Sequence, residues 1–477
     1  MDVANDGMLL FDDFDLRALH LAEESPFSTA ARCINEVVNS LNSFLLRTFV
    51  ASFLQFLISV SMYQNVFSNL LIGLVGLVLV WSNADRSELV VPLLVYFIIT
   101  TSIILIGAIP RKGIFCAALT IFFVIFCQMF YAPTDFTMIR GAMMVAAMKQ
   151  ISLAFDTEER TLNTKRCDVW RSPNILQRTA SMFAFVFNPS TVLFGPPIQF
   201  GQFEEWTFRR FHRFALLPLM RRFLQFVLQM LFSLMFLAFS SCLLDSDSDF
   251  FPVALTPWLI RHYLNAQSFR FSHFFVCHFA SACDILAGYP TVEITRWTSI
   301  EWPQSMADVV VYWNKPMHSF LHKYVYRRAK DQLGGFCSIL LTFAVSSALH
   351  GLDVQMIAVL LSLGFFAFSE TRLRDCLSFW LSACVRAREC PEGCHHRHKR
   401  DQSSVFALRL CFTLINICLL VYLGAPFHGE GQFTGYSAEH LLDIWAGQFC
   451  FSGHLFAIAA FALSFIGLRG GVEVVPR

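Results

Sequence analysis

Residues 335–353 read Gly335-Phe-Cys-Ser-Ile-Leu-Leu-Thr-Phe-Ala-Val-Ser-Ser-Ala-Leu-His350-Gly351-Leu352-Asp353. No charged residue occurs from Gln332 to Leu352, and none from Val354 to Ser369. A helix needs about 20 predominantly apolar residues to cross the hydrocarbon core of a bilayer. Both sides of Asp353 therefore read as membrane spans, and one ionisable side chain, His350, lies inside the first. Such a group is costly at membrane depth and is a functional candidate by default. The structural alternative is a histidine near a helix end, with Gly351 as the C-terminal glycine and the ring bonded to a free carbonyl. The stretch alone leaves both readings open.

Working outward, the rest of the chain has the same character. Of its 477 residues 55% are hydrophobic and only 15% charged, against about 45–50% and 25% in soluble domains; the mean hydropathy is +0.53. Lys+Arg 36 against Asp+Glu 35 leaves a formal net charge of +1. That balance excludes a broadly basic nucleic-acid binder and an acidic disordered chain. The composition predicts an all-α polytopic membrane protein.

Segments 43–63, 66–82, 89–109, 113–131, 222–243, 269–288, 335–351, 353–369, 403–424 and 450–468 qualify as spans by length and apolarity. Ten or eleven transmembrane helices are expected. Segments 137–156, 181–203 and 303–326 are too apolar for loops and too polar for lipid. Such backbone survives at membrane depth only inside protein or beside a water-filled cavity, so these pieces predict a central chamber. Residues 1–40 form a polar, acidic N-terminal segment, 41–470 the membrane domain and 471–477 a short tail. The first 25 residues carry seven acidic groups against one Arg, unlike a cleavable signal peptide, so the first span is expected to direct targeting. Basic residues mark the cytoplasmic side, here Arg111 and Lys112, the run Arg209, Arg210, Arg213, Arg221 and Arg222, and above all 372–400. No internal repeat is visible, which gives an inverted-repeat transporter little support.

Three further polar pieces lie at membrane depth. In Val311-Tyr-Trp-Asn314-Lys-Pro316-Met317, Pro is tolerated only in a first helical turn, so a helix starts just before it. Trp313, Met317, Phe320, Leu321 and Tyr324 then share one face, and Asn314 is well placed as an N-cap. Phe187-Asn188-Pro189-Ser-Thr-Val-Leu-Phe-Gly195-Pro196-Pro197 breaks any helix and predicts a re-entrant turn. Arg140-Gly141 through Phe155-Asp156 is charged mainly at its ends and Met-rich in its middle. Packing between spans accounts for the last two when each is taken alone.

Together, in this order, the four pieces resemble the membrane-bound O-acyltransferases. That family has an Arg-Gly…Met…Lys…Ser-Leu…Phe-Asp helix (140–156 here), a Pro-x5-Gly-Pro turn (189–196), a Trp-Asn or Trp-Asp helix start (Trp313-Asn314) and an intramembrane His-Gly (His350-Gly351). The resemblance covers roughly residues 40–470. It is nearest to a protein-acylating branch that has Trp-Asn-x-Pro-Met, Ser-Ala-Leu-His-Gly and a loop like Cys384-x5-Cys390-Pro391-x2-Cys394-x-His396-x-His398. Lysophospholipid acyltransferases share the Asn and His but lack that loop, and hedgehog acyltransferases carry Asp in place of Asn314.

The resemblance implies transfer of a palmitoleoyl group from palmitoleoyl-CoA to a serine of a Wnt-type secreted protein, at the endoplasmic reticulum membrane. It implies no bound cofactor and no nucleic-acid partner. His350 would be the general base that activates the weakly nucleophilic hydroxyl. Asn314 would hold the thioester or donate to its developing oxyanion. Trp313, Met317, Ser347 and Leu349 are the expected substrate-binding positions. Ser346 and Ser347 share the histidine's helix face; an acyl-serine route is conceivable there, but close helix packing is the favoured reading.

The fifteen cysteines do not form a disulfide framework, since many sit in apolar runs, where a thiol is a small hydrophobe. Three Cys and three His between Cys384 and His398 make a zinc candidate of Cys384, Cys390, Cys394, His396 and His398. Reduced thiols and S-acylation stay open there. A lipid-directed acyltransferase, a transporter or receptor with a polar cavity, and an inactive scaffold are the rival functions.

Overall fold

The computed structural model describes residues 26–84, 86–106, 110–162, 174–207, 216–244, 257–388, 390–391, 393–427 and 436–469. The acidic residues 1–25, Arg209, Arg210 and Arg213, and the tail 471–477 lie outside them. Helices follow one another as α1 (Pro26–Ser61), α2 (Val66–Asn83), α3 (Val91–Leu105), α4 (Lys112–Phe130), α5 (Pro133–Leu162), α6 (Ile175–Val186), α7 (Phe200–Thr207), α8 (Leu216–Ala238) and α9 (Trp258–Leu286). They continue as α10 (Trp297–Glu301), α11 (Met306–Trp313), α12 (Lys315–Leu321), α13 (Arg327–Leu349), α14 (Val354–Trp380), α15 (Ser403–Gly424), α16 (Ala438–Leu442) and α17 (Ser452–Arg469). Among the described residues the only extended pairing is an isolated bridge between Ala383 and His398.

Eight helices, or nine if a pair bent by 73° near residue 450 counts as one span, are long and apolar enough to cross a membrane. The chain is an all-α, multi-pass membrane protein. The sequence counted more spans for two physical reasons. The expected span 450–468 is one arm of that bent pair and counts only together with the short helical segment before it. The expected span 269–288 is part of α9, which falls outside that set of spans. Its Asn265, Gln267, Arg270, Ser281 and Asp284 are all buried. A helix enclosed by protein need not be apolar, and α9 packs on α8, α15 and α1.

Two of the three amphipathic pieces, 137–156 and 181–203, lie largely inside, and 303–326 is mostly half-buried. Met148, Lys149 and Ala154 of α5 are sealed from solvent. Lys149 Nζ donates to the carbonyls of Phe185 (2.9 Å) and Val186 (3.3 Å) and to Thr191 Oγ1 (2.7 Å), capping the end of α6. Beyond it the proline-rich turn is held by its own polar side chains. Asn188 Nδ2 donates to Tyr289 Oη at 2.6 Å, and Ser190 Oγ to Asp284 Oδ1 at 2.9 Å. A Cβ on Gly76 would lie 1.7 Å from the Phe187 carbonyl, so only glycine lets α2 approach the turn.

The cysteines form no disulfide framework among the described residues, but one pair is bridged: Cys33 of α1 is disulfide-bonded to Cys242. Three crossings (α1, α2, α3) separate Cys33 from Lys112, so the disulfide and the Arg111–Lys112 turn belong to opposite faces. Gln128, at the far end of α4, meets Leu352. Helix α14 therefore starts on the disulfide's face and runs back to deliver the cysteine loop to the basic one. Positive-inside bias and the oxidising lumen that disulfides need give the same orientation.

At the basic end of α14, Arg374 and Glu370 form an ion pair at 2.9 Å, each side chain 1% exposed. Arg374 also donates to the carbonyls of Gln304 (2.7 Å), Val385 (2.8 Å) and Arg386 (3.4 Å). Glu370 Oε2 accepts from the Met306 backbone N–H at 2.6 Å. One helix thus grips the start of the cysteine loop and the start of α11. Removing one partner of a buried pair costs about 3–5 kcal/mol, whereas replacing both by apolar residues is often neutral. Arg374→Leu should lower the melting temperature in detergent sharply, and Arg374→Leu with Glu370→Leu should recover part of the loss; a double variant no better than the single one would contradict this reading.

Candidate active site

Two backbone interruptions make the site. The first is at Asn314, which ends α11 and starts α12 with φ −148° and ψ 93°. Its Oδ1 accepts from the Met317 N–H at 3.0 Å, so it is the N-cap that the sequence suggests. Pro316 occupies the first turn of α12. The flanking backbone is clamped by the extended segment before α10. Arg296 N–H donates to the Tyr312 carbonyl (3.1 Å) and Lys315 N–H to that of Ile294 (2.8 Å). Glu293 binds Arg296 through both carboxylate oxygens (2.8 and 2.9 Å) and also pairs with Lys315. These hydrogen bonds, Arg296's above all, pull the Glu293 carboxyl down to about 2 against partial desolvation. The group stays ionised at neutral pH and braces the break. Because its folded value is depressed, that bracing is present above the ordinary carboxylate range, near 4.3, and is lost as pH falls towards about 2.

The cap has a chemical consequence. An amide has one acceptor oxygen and one NH2 donor. Committing Oδ1 to Met317 fixes which way the amide points and leaves Nδ2 as donor. Among the described residues no partner for Nδ2 is found, and Nδ2 is not among the sealed, unsatisfied atoms. It therefore faces space that water can reach.

The second interruption is His350. It caps the C-terminus of α13 at φ −82° and ψ −5°, and Gly351 follows at φ +93°. A Cβ on Gly351 would lie 2.8 Å from Gln128 Oε1 and 3.2 Å from Phe136 Cε1. Gln128 Oε1 accepts from the Leu352 N–H at 2.5 Å, and its Nε2 donates to the Leu352 carbonyl at 3.3 Å. Asp353 then caps α14 through the Met356 N–H, at 2.9 Å. The helix-end geometry of the bland reading is thus present, but its ring-to-carbonyl bond is not found among the described residues. The half-buried ring nitrogens are not among the sealed atoms either, so they too are open to approach.

Residues from α9 and α5 connect the two interruptions. His273 Nε2 meets the Trp313 carbonyl at 2.9 Å, and its ring stacks on the Trp313 indole at 4.5 Å and 11°. Since a carbonyl only accepts, Nε2 carries the proton. His273 and Arg140 both lie within electrostatic reach of His350. His273 is thus in direct contact with Trp313, the neighbour of Asn314, and bears on His350 only through electrostatics. Trp313 packs on the core cluster that contains Phe274, while Met317 packs on, and Leu349 belongs to, the cluster around α5. The site lies on the seam between them.

Ser347 is 1% exposed and its Oγ donates to the Phe343 carbonyl at 2.8 Å, within its own helix. Leu349 is equally buried. Both are packed into the protein beside His350 in sequence, Leu349 within the core cluster around α5. Cys384, Cys390, Cys394 and His396 form a separate cluster, and His398 lies outside it. The sequence reading missed His273 and Gln128. A polar side chain inside an apparent span was the available signal for His273, the same signal that picked out His350.

The membrane-bound O-acyltransferase family pattern matches residues 123–376, from α4 to the end of the Glu370–Arg374 pair. The chain belongs to that family. It is 31% identical over 368 residues to the human protein-serine O-palmitoleoyltransferase porcupine, covering 70% of this chain and 75% of the relative. The mouse relative of the same name matches equally, and that of Caenorhabditis briggsae is 30% identical over 346 residues, covering 71% and 73%. The four sequence pieces that suggested the family all fall within 123–376, and the cysteine loop lies beyond it.

The turn after His350 gives a direct test. A left-handed conformation costs a non-glycine residue about 1–2 kcal/mol, and a methyl here also strikes Gln128. Gly351→Ala should lower both thermal stability and turnover. Adding Gln128→Ala should relieve the collision but not the backbone cost, so the double variant should recover only part. Wild-type turnover in Gly351→Ala would contradict the account of the turn.

Proposed function

We propose that this protein transfers a palmitoleoyl group from palmitoleoyl-CoA to a serine hydroxyl of Wnt-type secreted proteins in the endoplasmic reticulum membrane. The carrying observation is the pair of open polar atoms, Asn314 Nδ2 and the His350 ring, on one seam at membrane depth. His350 takes the serine proton as Oγ attacks the thioester carbonyl carbon. The C–O bond forms, the C–S bond breaks, and coenzyme A leaves as the thiol once the proton is returned. Asn314 Nδ2 donates to the carbonyl oxygen as it gains charge; losing one such donor typically costs about 10²–10³ in rate. Trp313 and Met317 line the acyl approach. His273, through its stack on Trp313, is a positioning residue. The hydroxyl arrives from the disulfide-bearing face, where the His350 turn opens, and the acyl-CoA from the basic face. The acyl group is the donor's own, so no bound cofactor is needed.

A lysophospholipid acceptor is the rival within the family. Purified protein given a clickable palmitoleoyl donor with either a Wnt-type serine peptide or a lysophospholipid separates the two. Acylation of the peptide, lost when its serine is replaced by alanine and lost in a folded His350→Ala enzyme, is the expected result. Acylation of the lysophospholipid alone would overturn the proposed acceptor, and peptide acylation by His350→Ala at more than a small fraction of the wild-type rate would overturn the base.

A further inference from the structure

The loop 384–398 brings four potential ligand atoms together outside the acyl-transfer site. Cys384, Cys390, Cys394 and His396 each offer one, all within 4.8 Å of one another. Cys384 Sγ lies 3.5 Å from Cys394 Sγ and 3.6 Å from His396 Nδ1, and Cys390 Sγ lies 3.6 Å from the same nitrogen. In a tetrahedral zinc site with Zn–S of about 2.3 Å and Zn–N of about 2.0–2.1 Å, trigonometry puts sulfur–sulfur contacts near 3.8 Å and sulfur–nitrogen contacts near 3.6 Å. The observed spacings are those of ligands around one shared point. They are far too long for a disulfide, whose sulfurs stand about 2.05 Å apart.

The surroundings supply what such a site needs. A ligating histidine usually donates its other ring N–H to a fixed acceptor, which sets the tautomer. His396 Nε2 lies 3.2 Å from Ser378 Oγ, and Ser378, fully buried, spends its own proton on the Ala383 carbonyl at 2.7 Å. The serine can therefore only accept from the ring, leaving Nδ1 unprotonated towards the sulfurs. Backbone geometry fits as well. Cys394 N–H donates to the Pro391 carbonyl at 3.1 Å, and Gly393 stands at φ +85°, a tight turn that presents Cys390 and Cys394 side by side. Cys384 is fixed independently, its N–H donating to the His398 carbonyl at 3.0 Å, while Arg374 grips Val385. Three thiolates, a neutral imidazole and a dication sum to one negative charge. Lys399 balances it, with Nζ 3.5 Å from Cys394 Sγ.

We propose that Cys384, Cys390, Cys394 and His396 bind one structural zinc ion that closes the loop 384–398 over the basic end of α14. The thiols release their protons to solvent on binding. All four first positions are taken by protein, as in structural rather than catalytic sites, and the basic face lies in the compartment that keeps thiols reduced. His398 plays no part as a ligand; its Nδ1 is engaged by Gln402 Oε1 at 2.8 Å.

Elemental analysis of the full-length protein, purified in detergent without chelators, tests this on the wild type itself. One zinc per chain is expected, retained in His398→Ala and lost in Cys390→Ser with Cys394→Ser. Should that double variant fail to fold, two further measurements on the wild type decide. Maleimide labelling of these three cysteines should be slow until a strong chelator is added, and cobalt exchange should give the thiolate charge-transfer bands of a tetrahedral site. Folded wild type that lacks zinc, with the three thiols labelling freely, S-acylated or disulfide-bonded, would overturn the proposal.

Discussion

The Arg374–Glu370 pair joins parts of the chain far apart in sequence. A buried charge is tolerated only when its partner and its remaining hydrogen-bonding capacity are both supplied. Here that demand is met by the Gln304, Val385 and Arg386 carbonyls, the Met306 N–H and Asn416 Nδ2, with Phe412 beneath the guanidinium at 4.6 Å. Satisfying one pair thus fixes the entry to α11, the exit from α14 and the face of α15. Helix α11 ends at Trp313 and α14 begins just after Gly351, so the pair ties together the helix that leads into Asn314 and the helix that follows His350.

Within that frame, the two groups proposed to carry the chemistry sit where the backbone leaves the helix. Most polar groups at depth are spent on structure: Lys149 on the end of α6, Asn188 and Ser190 on the re-entrant turn, Ser347 on its own helix. Asn314 and His350 differ because each sits at a terminus, where the backbone takes up only part of the side chain's capacity. The cap uses the amide's oxygen and spares its nitrogen. The turn at Gly351 uses the histidine's backbone and spares its ring. The proposed chemical roles are compatible with the structural ones because they fall on different atoms.

Most of the membrane architecture was legible in the sequence, since apolar run length decides it. The helix start at Asn314, the break at 187–197 and the turn at Gly351 were legible because proline and glycine signal them locally. Helix α9 was not, because the enclosure of Arg270, His273 and Asp284 depends on neighbours distant in sequence. The same holds for the cysteine loop, where spacing admitted five ligands and the fold gathers four. The disulfide between Cys33 and Cys242, 209 residues apart, leaves no local trace at all.

The central claim is that Asn314 acts through the donor its capping role leaves free. Asp and Ser also make good N-caps, and replacing a cap by Ala costs about 0.5–2 kcal/mol. An ionised carboxylate accepts but cannot donate. Turnover and thermal stability should be measured side by side for Asn314→Asp, Asn314→Ser and Asn314→Ala. The account predicts that Asn314→Asp keeps near-native stability while turnover falls by about 10²-fold or more. Activity that merely tracks stability across the three variants, with Asn314→Asp close to wild type in both, would contradict it and leave Asn314 a helix cap alone.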